Sequence, residues 1–334
     1  MKVLLTGGAG YIGSHVLAEL LDRGHEVVVA DSLERGLQEA VDRAQQVTRR
    51  STVLEVGDLE DPSFTRTVFE RHRPEALVHC AAYKFVGESV EKPDLYHRKN
   101  VVVTEVVAKA AVDAGVTNVV YASTGAVYGD SDAAESIRET QALQPMSPYA
   151  STKAEGERVL ERIGGDHWSV SHMRFFNVGG AHPSGELGEY VDKPGNLLPI
   201  IMRSIFRDDT PGLTVFGDDY DTADGTCIRD YVHVMDIASG IAAALESPGP
   251  RGGARAFNLG TGRGLSVLGM IDAVEGVWGH DLKRIMGARR AGDPAVCVAN
   301  VDKMRDVLGW SSRYSVDDMV RSALNWSRLL EERS

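Results

Sequence analysis

The chain has 334 residues, a formal net charge of −12, and 43% hydrophobic and 25% charged residues. This length suggests two lobes, and the composition suits a globular protein with a substantial core. The acidic balance argues against a broad nucleic-acid interface, and no apolar run reaches the roughly 18 residues that span a bilayer. Cys80, Cys227 and Cys297 are the only cysteines and show no paired spacing, which predicts a cytoplasmic protein without disulfides or a bound metal.

Apolar runs alternate with amphipathic stretches through the first half of the chain. Strands that are apolar throughout and separated by helices predict a parallel sheet covered on both faces, which is an α/β fold with a doubly wound, Rossmann-type sheet. The predicted strands are residues 2–6, 26–31, 52–56, 76–81, 118–123 and 169–175. The predicted helices are residues 12–23, 37–49, 63–71, 95–114 and 148–163.

The character of the sequence changes after Asn177. Gly, Pro and Asp cluster in two long loops, and loops of that length often carry function. We expect residues 1–176 to form a dinucleotide-binding domain and residues 177–334 to form a smaller α/β substrate lobe at the carboxyl edge of the sheet. Residues 232–260 could return to the sheet. Shorter helices are predicted at 197–206, 234–245 and 267–277.

A glycine-rich turn, GGAGYIG at residues 7–13, follows the first predicted strand directly. Its three spaced glycines permit a tight turn and a close approach to a pyrophosphate, which would meet the amides at the start of the next helix. Asp31 ends the second strand about 20 residues further on, where a carboxylate can accept the ribose hydroxyls of a dinucleotide. This arrangement predicts NAD rather than NADP, since a 2′-phosphate would face a like charge. Nearby Arg35 would soften that preference.

Tyr149 and Lys153 lie four residues apart behind Ser147-Pro148, a typical helix start. At that spacing both side chains lie on one helical face. We expect the lysine ammonium, roughly 5 Å away, to lower the pKa of the phenol by about two units. Tyr149 could then accept the proton of a substrate hydroxyl while hydride leaves for NAD⁺. Thr124, at the end of a strand, could hydrogen-bond both the substrate oxygen and the tyrosine.

Three further motifs complete the pattern: VGESV at residues 86–90, FNVGGAHPSG at 176–185 and RDYVHVMD at 229–236. With these motifs the chain resembles the extended short-chain dehydrogenase/reductases, and among them the UDP-glucose (UDP-galactose) 4-epimerases, over nearly its whole length. The resemblance implies an enzyme of galactose metabolism that interconverts UDP-glucose and UDP-galactose through a 4-keto intermediate. It also implies tightly bound NAD and a homodimer formed through the helices at 95–114 and 148–163.

The resemblance further implies roles for individual residues. Those for catalysis are Thr124, Tyr149 and Lys153. Those for NAD are Gly7, Gly10, Tyr11, Ile12, Gly13, Asp31, Ser32, Asp58, Leu59, Lys84, Tyr149, Lys153 and Phe175. Those for the UDP-sugar are Lys84, Thr124, Tyr149, Asn177, Asn196, Leu197, Phe216, Arg229, Tyr231, Arg290, Asp293 and Cys297. From the residues alone, Asp58 is equally well read as a turn residue at a strand end.

The chain departs from this family in several places. Thr124 replaces the usual serine but keeps the hydroxyl group. Phe175 stands where a tyrosine is common and Cys80 where an aromatic residue is common, and both changes could loosen cofactor contacts. The loop at residues 32–36 lacks the asparagines that usually contact the adenosine. Lys99 stands where the first of two paired asparagines is expected.

Related reactions remain as alternatives. Dehydratases of this family place an Asp-Glu pair after the active-site threonine, whereas here Gly125 and Ala126 follow Thr124. Cys297 stands where some members carry a tyrosine, so its small size predicts that UDP-GlcNAc and UDP-GalNAc are also accepted, although it could equally be a buried hydrophobic residue. The other candidates are an epimerase acting mainly on UDP-GlcNAc or another UDP-sugar, an NAD-dependent reductase of keto-sugar nucleotides, and a non-enzymatic regulator that binds NAD or a sugar nucleotide.

Overall fold

A computed structural model describes residues 1–130, 136–190, 194–207, 212–289 and 294–333. Within these ranges the strands are β1 (Lys2–Thr6), β2 (Glu26–Asp31), β3 (Val53–Val56), β4 (Ala76–His79), β5 (Asn118–Thr124), β6 (Ser169–Phe175), β7 (Asn177–Gly179), β8 (Leu213–Phe216), β9 (Ile228–His233), β10 (Ala254–Leu259), β11 (Gly264–Ser266), β12 (Arg284–Gly287) and β13 (Val296–Cys297). The α-helices are α1 (Tyr11–Asp22), α2 (Gln38–Thr48), α3 (Pro62–His72), α4 (Val86–Glu91), α5 (Pro93–Tyr96), α6 (Val103–Asp113), α7 (Pro148–Gly164), α8 (Leu197–Phe206), α9 (Val234–Glu246), α10 (Val267–Trp278), α11 (Asp302–Leu308) and α12 (Val316–Glu331).

Seven strands form a parallel sheet in the order β10-β6-β5-β4-β1-β2-β3. The chain runs outward from β1 to β3 and then returns to the other side of β1 as β4. The order therefore reverses at β1 and β4, and a crevice opens beyond their carboxyl ends, where doubly wound folds bind their ligands. The predicted α/β fold with a doubly wound parallel sheet is confirmed.

Helices cover both faces of this sheet. Val3, Leu4 and Leu5 of β1 are all fully buried, as expected of a strand packed on both faces. One apolar layer joins the sheet to α1, α2 and α9, and the other joins it to α3, α6 and α7. Residues 232–260 thus contribute a covering helix, α9, and the edge strand β10.

The predicted elements differ from the observed ones after residue 175, where no bounds were predicted for the strands β7–β13, and in the long connection after β4. The single helix predicted at 95–114 is α5, then a π-helical segment at His97–Val102, then α6. Helical periodicity does not distinguish these forms, and π-helical turns often occur at functional sites. The prediction also lacked α12, although Ser315 and Asp318 form a capping box at its start.

A second, smaller sheet surrounds β9, which pairs with β7, β11 and β13. Arg229 of β9 lies beside Cys297 of β13, and Tyr231 lies beside Asn177 of β7. Because side chains alternate along a strand and paired residues share a face, these four predicted substrate residues lie on one face of the sheet. Asp230 points to the opposite face, where it accepts hydrogen bonds from backbone amides.

In the described part of the chain, none of the helices combines the length and the apolar character needed to cross a bilayer.

Candidate active site

The turn between β1 and α1 can be built only with glycine at key positions. Gly7 has a φ of +72°, and a Cβ there would lie 2.5 Å from the backbone nitrogen of Ala81. A Cβ on Gly13 would lie 2.0 Å from the carbonyl oxygen of Gly7. Gly10 is the N-cap of α1 and supplies no side-chain cap, so the first amides of this 12-residue helix remain for an anionic group. The turn therefore fits the pyrophosphate of a dinucleotide.

The carboxylate of Asp31 closes one side of this turn. It accepts hydrogen bonds from the amides of Ala9 at 3.0 Å and Leu33 at 2.9 Å. Burial raises the pKa of Asp31, and these two amides oppose that effect. An acceptor held in this way suits ribose hydroxyls and repels a 2′-phosphate.

Arg35, which we expected to soften this preference, is engaged elsewhere. Its guanidinium carbon lies 3.5 Å from the centroid of the Tyr83 ring, and one of its nitrogens lies 2.7 Å from a carboxylate oxygen of Glu88. Because the carboxylate of Glu88 neutralises its charge, Arg35 attracts the phosphate of a ligand less strongly. The local charge therefore favours NAD, in agreement with the prediction from Asp31.

One cleft at the carboxyl edge of the sheet collects every residue predicted to contact NAD. These residues are Gly7, Gly10, Tyr11, Ile12, Gly13, Asp31, Ser32, Asp58, Leu59, Lys84, Tyr149, Lys153 and Phe175. The cleft also includes residues to which the sequence had assigned no ligand contact, among them Glu34, Tyr83, Lys99 and Glu189. Three of these carried a signal in the sequence: Lys99 and the loop that contains Glu34 depart from the family pattern, and Glu189 follows the motif at residues 176–185.

Two of the three predicted catalytic residues, Tyr149 and Lys153, line this cleft, and Thr124 lies next to Tyr149. Tyr149 and Lys153 lie one turn apart on α7, which begins where the hydroxyl of Ser147 accepts a hydrogen bond from the Ala150 amide at 3.2 Å. Thr124 ends β5, and its side chain lies close enough to the phenol of Tyr149 to lower the pKa of that phenol through a hydrogen bond. The helix start and the strand end thus set the distance between the two hydroxyl groups.

The pKa values of this pair correct one prediction. Burial raises the pKa of Tyr149 to about 12, and the hydrogen bond from Thr124 opposes that effect only in part. Burial lowers the pKa of Lys153 to about 8, although Cys80 and Glu157 act in the opposite direction. The expectation that the ammonium makes the phenol acidic is wrong for the chain by itself, because desolvation disfavours both charged forms. The ammonium nitrogen instead lies over the Tyr121 ring, 4.1 Å from its centroid.

A buried ion pair that the sequence did not predict lies behind the catalytic residues. Glu157, one turn beyond Lys153 on α7, receives two hydrogen bonds from Arg174 of β6 at 3.0 and 2.7 Å. The hydroxyl of Ser123 donates to the same carboxylate at 2.5 Å. Since Ser123 precedes Thr124, this network ties the end of β5 to the helix that carries Tyr149.

Two further contacts link the cleft to residues 176–189, which contain the motif at 176–185. The ammonium of Lys84 lies 2.5 Å from a carboxylate oxygen of Glu189 and 5.5 Å from the centroid of the Tyr11 ring. The hydroxyl of Tyr11 donates to the carbonyl oxygen of Gly180 at 2.6 Å. Tyr11 and Lys84 therefore attach the glycine turn to the loop that follows β7.

Seven of the predicted substrate residues do not line the cleft and lie in three other parts of the fold. Asn177, Arg229, Tyr231 and Cys297 share the face of the small sheet described above, and β7 begins two residues after Phe175, which lines the cleft. Asn196 is the N-cap of α8, Leu197 is its first residue, and Phe216 ends β8. Arg229 donates to the carbonyl oxygens of Ile228 at 2.9 Å and Pro294 at 2.8 Å. The predicted contacts at Arg290 and Asp293 lie outside the described residues.

Comparisons with known proteins agree with this geometry. The NAD dependent epimerase/dehydratase family matches residues 3–260. The chain is 40% identical over 329 residues to UDP-glucose 4-epimerase of Bacillus subtilis (strain 168), which covers 98% of this chain and 96% of the relative. Its structure is similar to that of UDP-glucose-4-epimerase from Stenotrophomonas maltophila with bound NAD and formylated UDP-arabinopyranose, with a TM-score of 0.96, 37% identity and full coverage of both chains.

A further similar structure is the UDP-Glc/GlcNAc 4-epimerase of Campylobacter jejuni, with a TM-score of 0.84, 35% identity, and 98% and 99% of the two chains covered. The family match and these relatives extend over both the dinucleotide turn and the Tyr149–Lys153 pair. The chain therefore belongs to the NAD dependent epimerase/dehydratase family, within the extended short-chain dehydrogenase/reductases that its motifs resemble.

Proposed function

We propose that the chain is an NAD-dependent UDP-glucose 4-epimerase that interconverts UDP-glucose and UDP-galactose. The observation that carries this proposal is the position of Tyr149 and Lys153, one turn apart on α7, in a cleft that fits a dinucleotide, with Thr124 next to the phenol of Tyr149. Relatives named UDP-glucose 4-epimerase that match over nearly the whole chain support the same sugar.

In this proposal the side chains of the protein accept one proton from the sugar and later return it. Bound NAD supplies a hydride acceptor and, when oxidised, a positive charge that favours the phenolate. The phenolate oxygen of Tyr149 takes the proton of the sugar's 4-hydroxyl group, and the hydroxyl of Thr124 donates a hydrogen bond to that oxygen. Lys153, which is positively charged below a pH of about 8, binds the ribose next to the nicotinamide. When the 4-keto sugar has turned over, Tyr149 returns the proton to the 4-oxygen; the hydride from bound NAD would enter the opposite face of carbon 4, so that no net oxidation occurs.

The surroundings of Thr124 argue against dehydration. A short 3-10 helix, Gly125–Tyr128, follows it and contains no carboxylate. Elimination of water needs one acidic and one basic side chain, which act at neighbouring carbon atoms of the sugar. Glu157 does not fill this role, because its carboxylate is bound by Arg174 and Ser123 behind the site. A single acid–base residue is sufficient for epimerisation or for reduction.

We further propose that N-acetylated UDP-sugars are substrates. Cys297 lies beside Arg229 in the small sheet, and a thiol leaves more room than the tyrosine of some family members. The Campylobacter jejuni neighbour is named for both UDP-Glc and GlcNAc. The competing interpretation is structural, since Cys297 packs against the apolar cluster that contains Val127 and Ile137.

The variant Cys297→Tyr separates these interpretations. We expect turnover of UDP-GalNAc to fall at least tenfold, while turnover of UDP-galactose changes less than about twofold, because one large side chain removes the space for the acetyl group. Steady-state rates on both substrates measure this ratio. Equal losses on both sugars would show that the residue serves packing rather than substrate choice.

The reaction itself is tested with purified protein and no added cofactor. Incubation with UDP-galactose should yield UDP-glucose, and incubation with UDP-GalNAc should yield UDP-GlcNAc, as resolved by chromatography. The absorbance of the protein should show a retained dinucleotide that does not exchange during turnover. Release of NADH with an equal amount of oxidised keto sugar, which is the reductase reaction in reverse, would indicate the reductase. A protein loaded with NAD but inactive on either sugar would indicate the regulator.

We also propose which parts of the chain bind each ligand and how two copies of the chain associate. Residues 1–176, with 232–260, would hold NAD, and the remainder of 177–334 would hold the UDP-sugar. We propose a cytoplasmic homodimer that joins through α6 and α7, which lie side by side on the same face of the large sheet. Light scattering of the purified protein measures its mass directly, and a monomer at assay concentration would refute the dimer.

A further inference from the structure

Lys99 lies at the centre of an ion-pair cluster on one wall of the cofactor cleft. Its side chain is only 11% exposed, and its ammonium nitrogen lies 2.9 Å from Asp58, 3.3 Å from Glu60 and 3.4 Å from Glu34. Burial acts against the charge, but the carboxylates, Asp58 foremost, hold the pKa of Lys99 above its usual range. The ammonium therefore stays charged across the pH range of any ordinary assay.

The four residues come from three separate connections of the large sheet. Glu34 follows β2, Asp58 and Glu60 follow β3, and Lys99 lies in the π-helical segment at His97–Val102 that precedes α6. Lys99, Glu34 and Asp58 all line the same cleft as Asp31. The loops after β2 and β3 form the side of a Rossmann cleft that receives the adenosine of a dinucleotide. The ammonium of Lys99 thus connects the loops after β2 and β3, which form the adenosine end of the cleft.

The charges around the cluster make this ammonium hard to replace. Arg98 pairs with Glu60 at 3.1 Å, and Arg35 pairs with Glu88. Without Lys99, the carboxylates of Glu34 and Asp58 would face each other with one less cation between them. Like charges at this separation repel, and the loops that carry them would move apart.

We propose that Lys99 is a positioning residue for the adenosine end of the cofactor: it neutralises Glu34, Asp58 and Glu60 and holds the loops after β2 and β3 at the spacing that the adenosine requires. This proposal rests on NAD as the cofactor and not on the identity of the sugar. It can therefore fail or hold independently of the epimerase reaction.

The test compares Lys99→Met with two related variants and a matched lysine elsewhere. Each full-length protein is purified, its content of bound NAD is measured by absorbance, and the release of NAD after dilution is followed over time. We expect Lys99→Met to release NAD at least tenfold faster than the unmodified chain and Lys99→Arg to stay within about threefold of it. The matched control is Lys2→Met. Lys2 begins β1 and forms an ion pair with Glu26, and its replacement should leave the rate of NAD release unchanged.

A double variant isolates the role of charge. In Glu34→Gln/Lys99→Met the repulsion with Asp58 is reduced, so NAD should be released more slowly than from Lys99→Met alone. ADP-ribose should follow NAD in these variants, whereas UDP binding and the melting temperature without added ligand should change little. NAD release from Lys99→Met that is no faster than from the unmodified chain would overturn the proposal, because the cofactor would then bind as well without this ammonium as with it. Failure of the double variant to recover would overturn it as well.

Discussion

The hydrogen bond between Thr124 and Tyr149 offers a quantitative test of the acid–base assignment. Thr124→Val keeps the branched shape of the side chain but removes the hydroxyl that donates to the phenolate. A hydrogen bond to a charged group contributes roughly 1.5–3 kcal/mol, and about 1.4 kcal/mol corresponds to one pKa unit. The pKa of Tyr149, which burial already raises to about 12, should therefore rise by a further one to two units.

An assay pH of about 8 lies below the pKa of Tyr149. The fraction of phenolate therefore falls by a factor of ten for each unit by which this pKa rises. We therefore expect kcat/KM of Thr124→Val to fall roughly 10- to 100-fold. Because the base must be deprotonated, kcat/KM should rise with pH in both proteins, with the curve of the variant displaced to higher pH. Initial rates between about pH 6 and 10, at matched NAD content, measure the displacement.

Thr124→Ser is the control, since it retains the hydroxyl and loses only a methyl group. It should keep the pH profile of the unmodified chain and most of the rate. The reasoning is refuted if Thr124→Val retains both the rate and the profile, or if Thr124→Ser loses as much activity as Thr124→Val. The second result would assign the effect to packing at the end of β5.

Two further variants test the cofactor turn and a buried histidine. Gly13→Ala would place a Cβ 2.0 Å from the carbonyl oxygen of Gly7, so its NAD content on purification should fall at least tenfold; normal NAD absorbance would contradict the steric argument. His79 is fully buried between the hydroxyls of Thr6 and Thr104, and burial lowers its pKa to about 3. Below a pH of about 6.5 the imidazole of His79 is protonated in the unfolded chain but stays neutral in the folded chain. The free energy of unfolding therefore falls by roughly 1.4 kcal/mol for each pH unit as the pH decreases toward 3. The urea midpoint of His79→Gln should then depend less steeply on pH between about 4 and 7; an unchanged slope would contradict this assignment.

Local sequence signals were sufficient for the fold and for the core of the site. Buried parallel strands are apolar throughout, and glycine is required where β1 turns into α1, so both are visible without tertiary information. The pair Tyr149 and Lys153 depends only on helical spacing behind the N-cap Ser147. The right-handed crossovers restrict the topology of the large sheet but do not by themselves determine the order of its strands.

The features that the sequence did not predict depend on contacts between distant segments. Glu157 meets Arg174 and Ser123, and Lys84 meets Glu189, across 17 to 105 residues, and no periodic pattern encodes such pairs. The predicted pKa of Tyr149 was wrong for the same reason. Sequence spacing placed a cation nearby, but the burial that outweighs it is a property of the folded chain.

The central claim is that the phenol of Tyr149 carries the proton of the sugar's 4-hydroxyl group. Tyr149→Phe removes the oxygen and leaves the ring, the glycine turn and Lys153 in place. With bound NAD confirmed by absorbance, its rate of interconversion of UDP-glucose and UDP-galactose should fall at least a hundredfold, while UDP still binds. Interconversion by a NAD-loaded Tyr149→Phe protein at the rate of the unmodified chain would contradict the account.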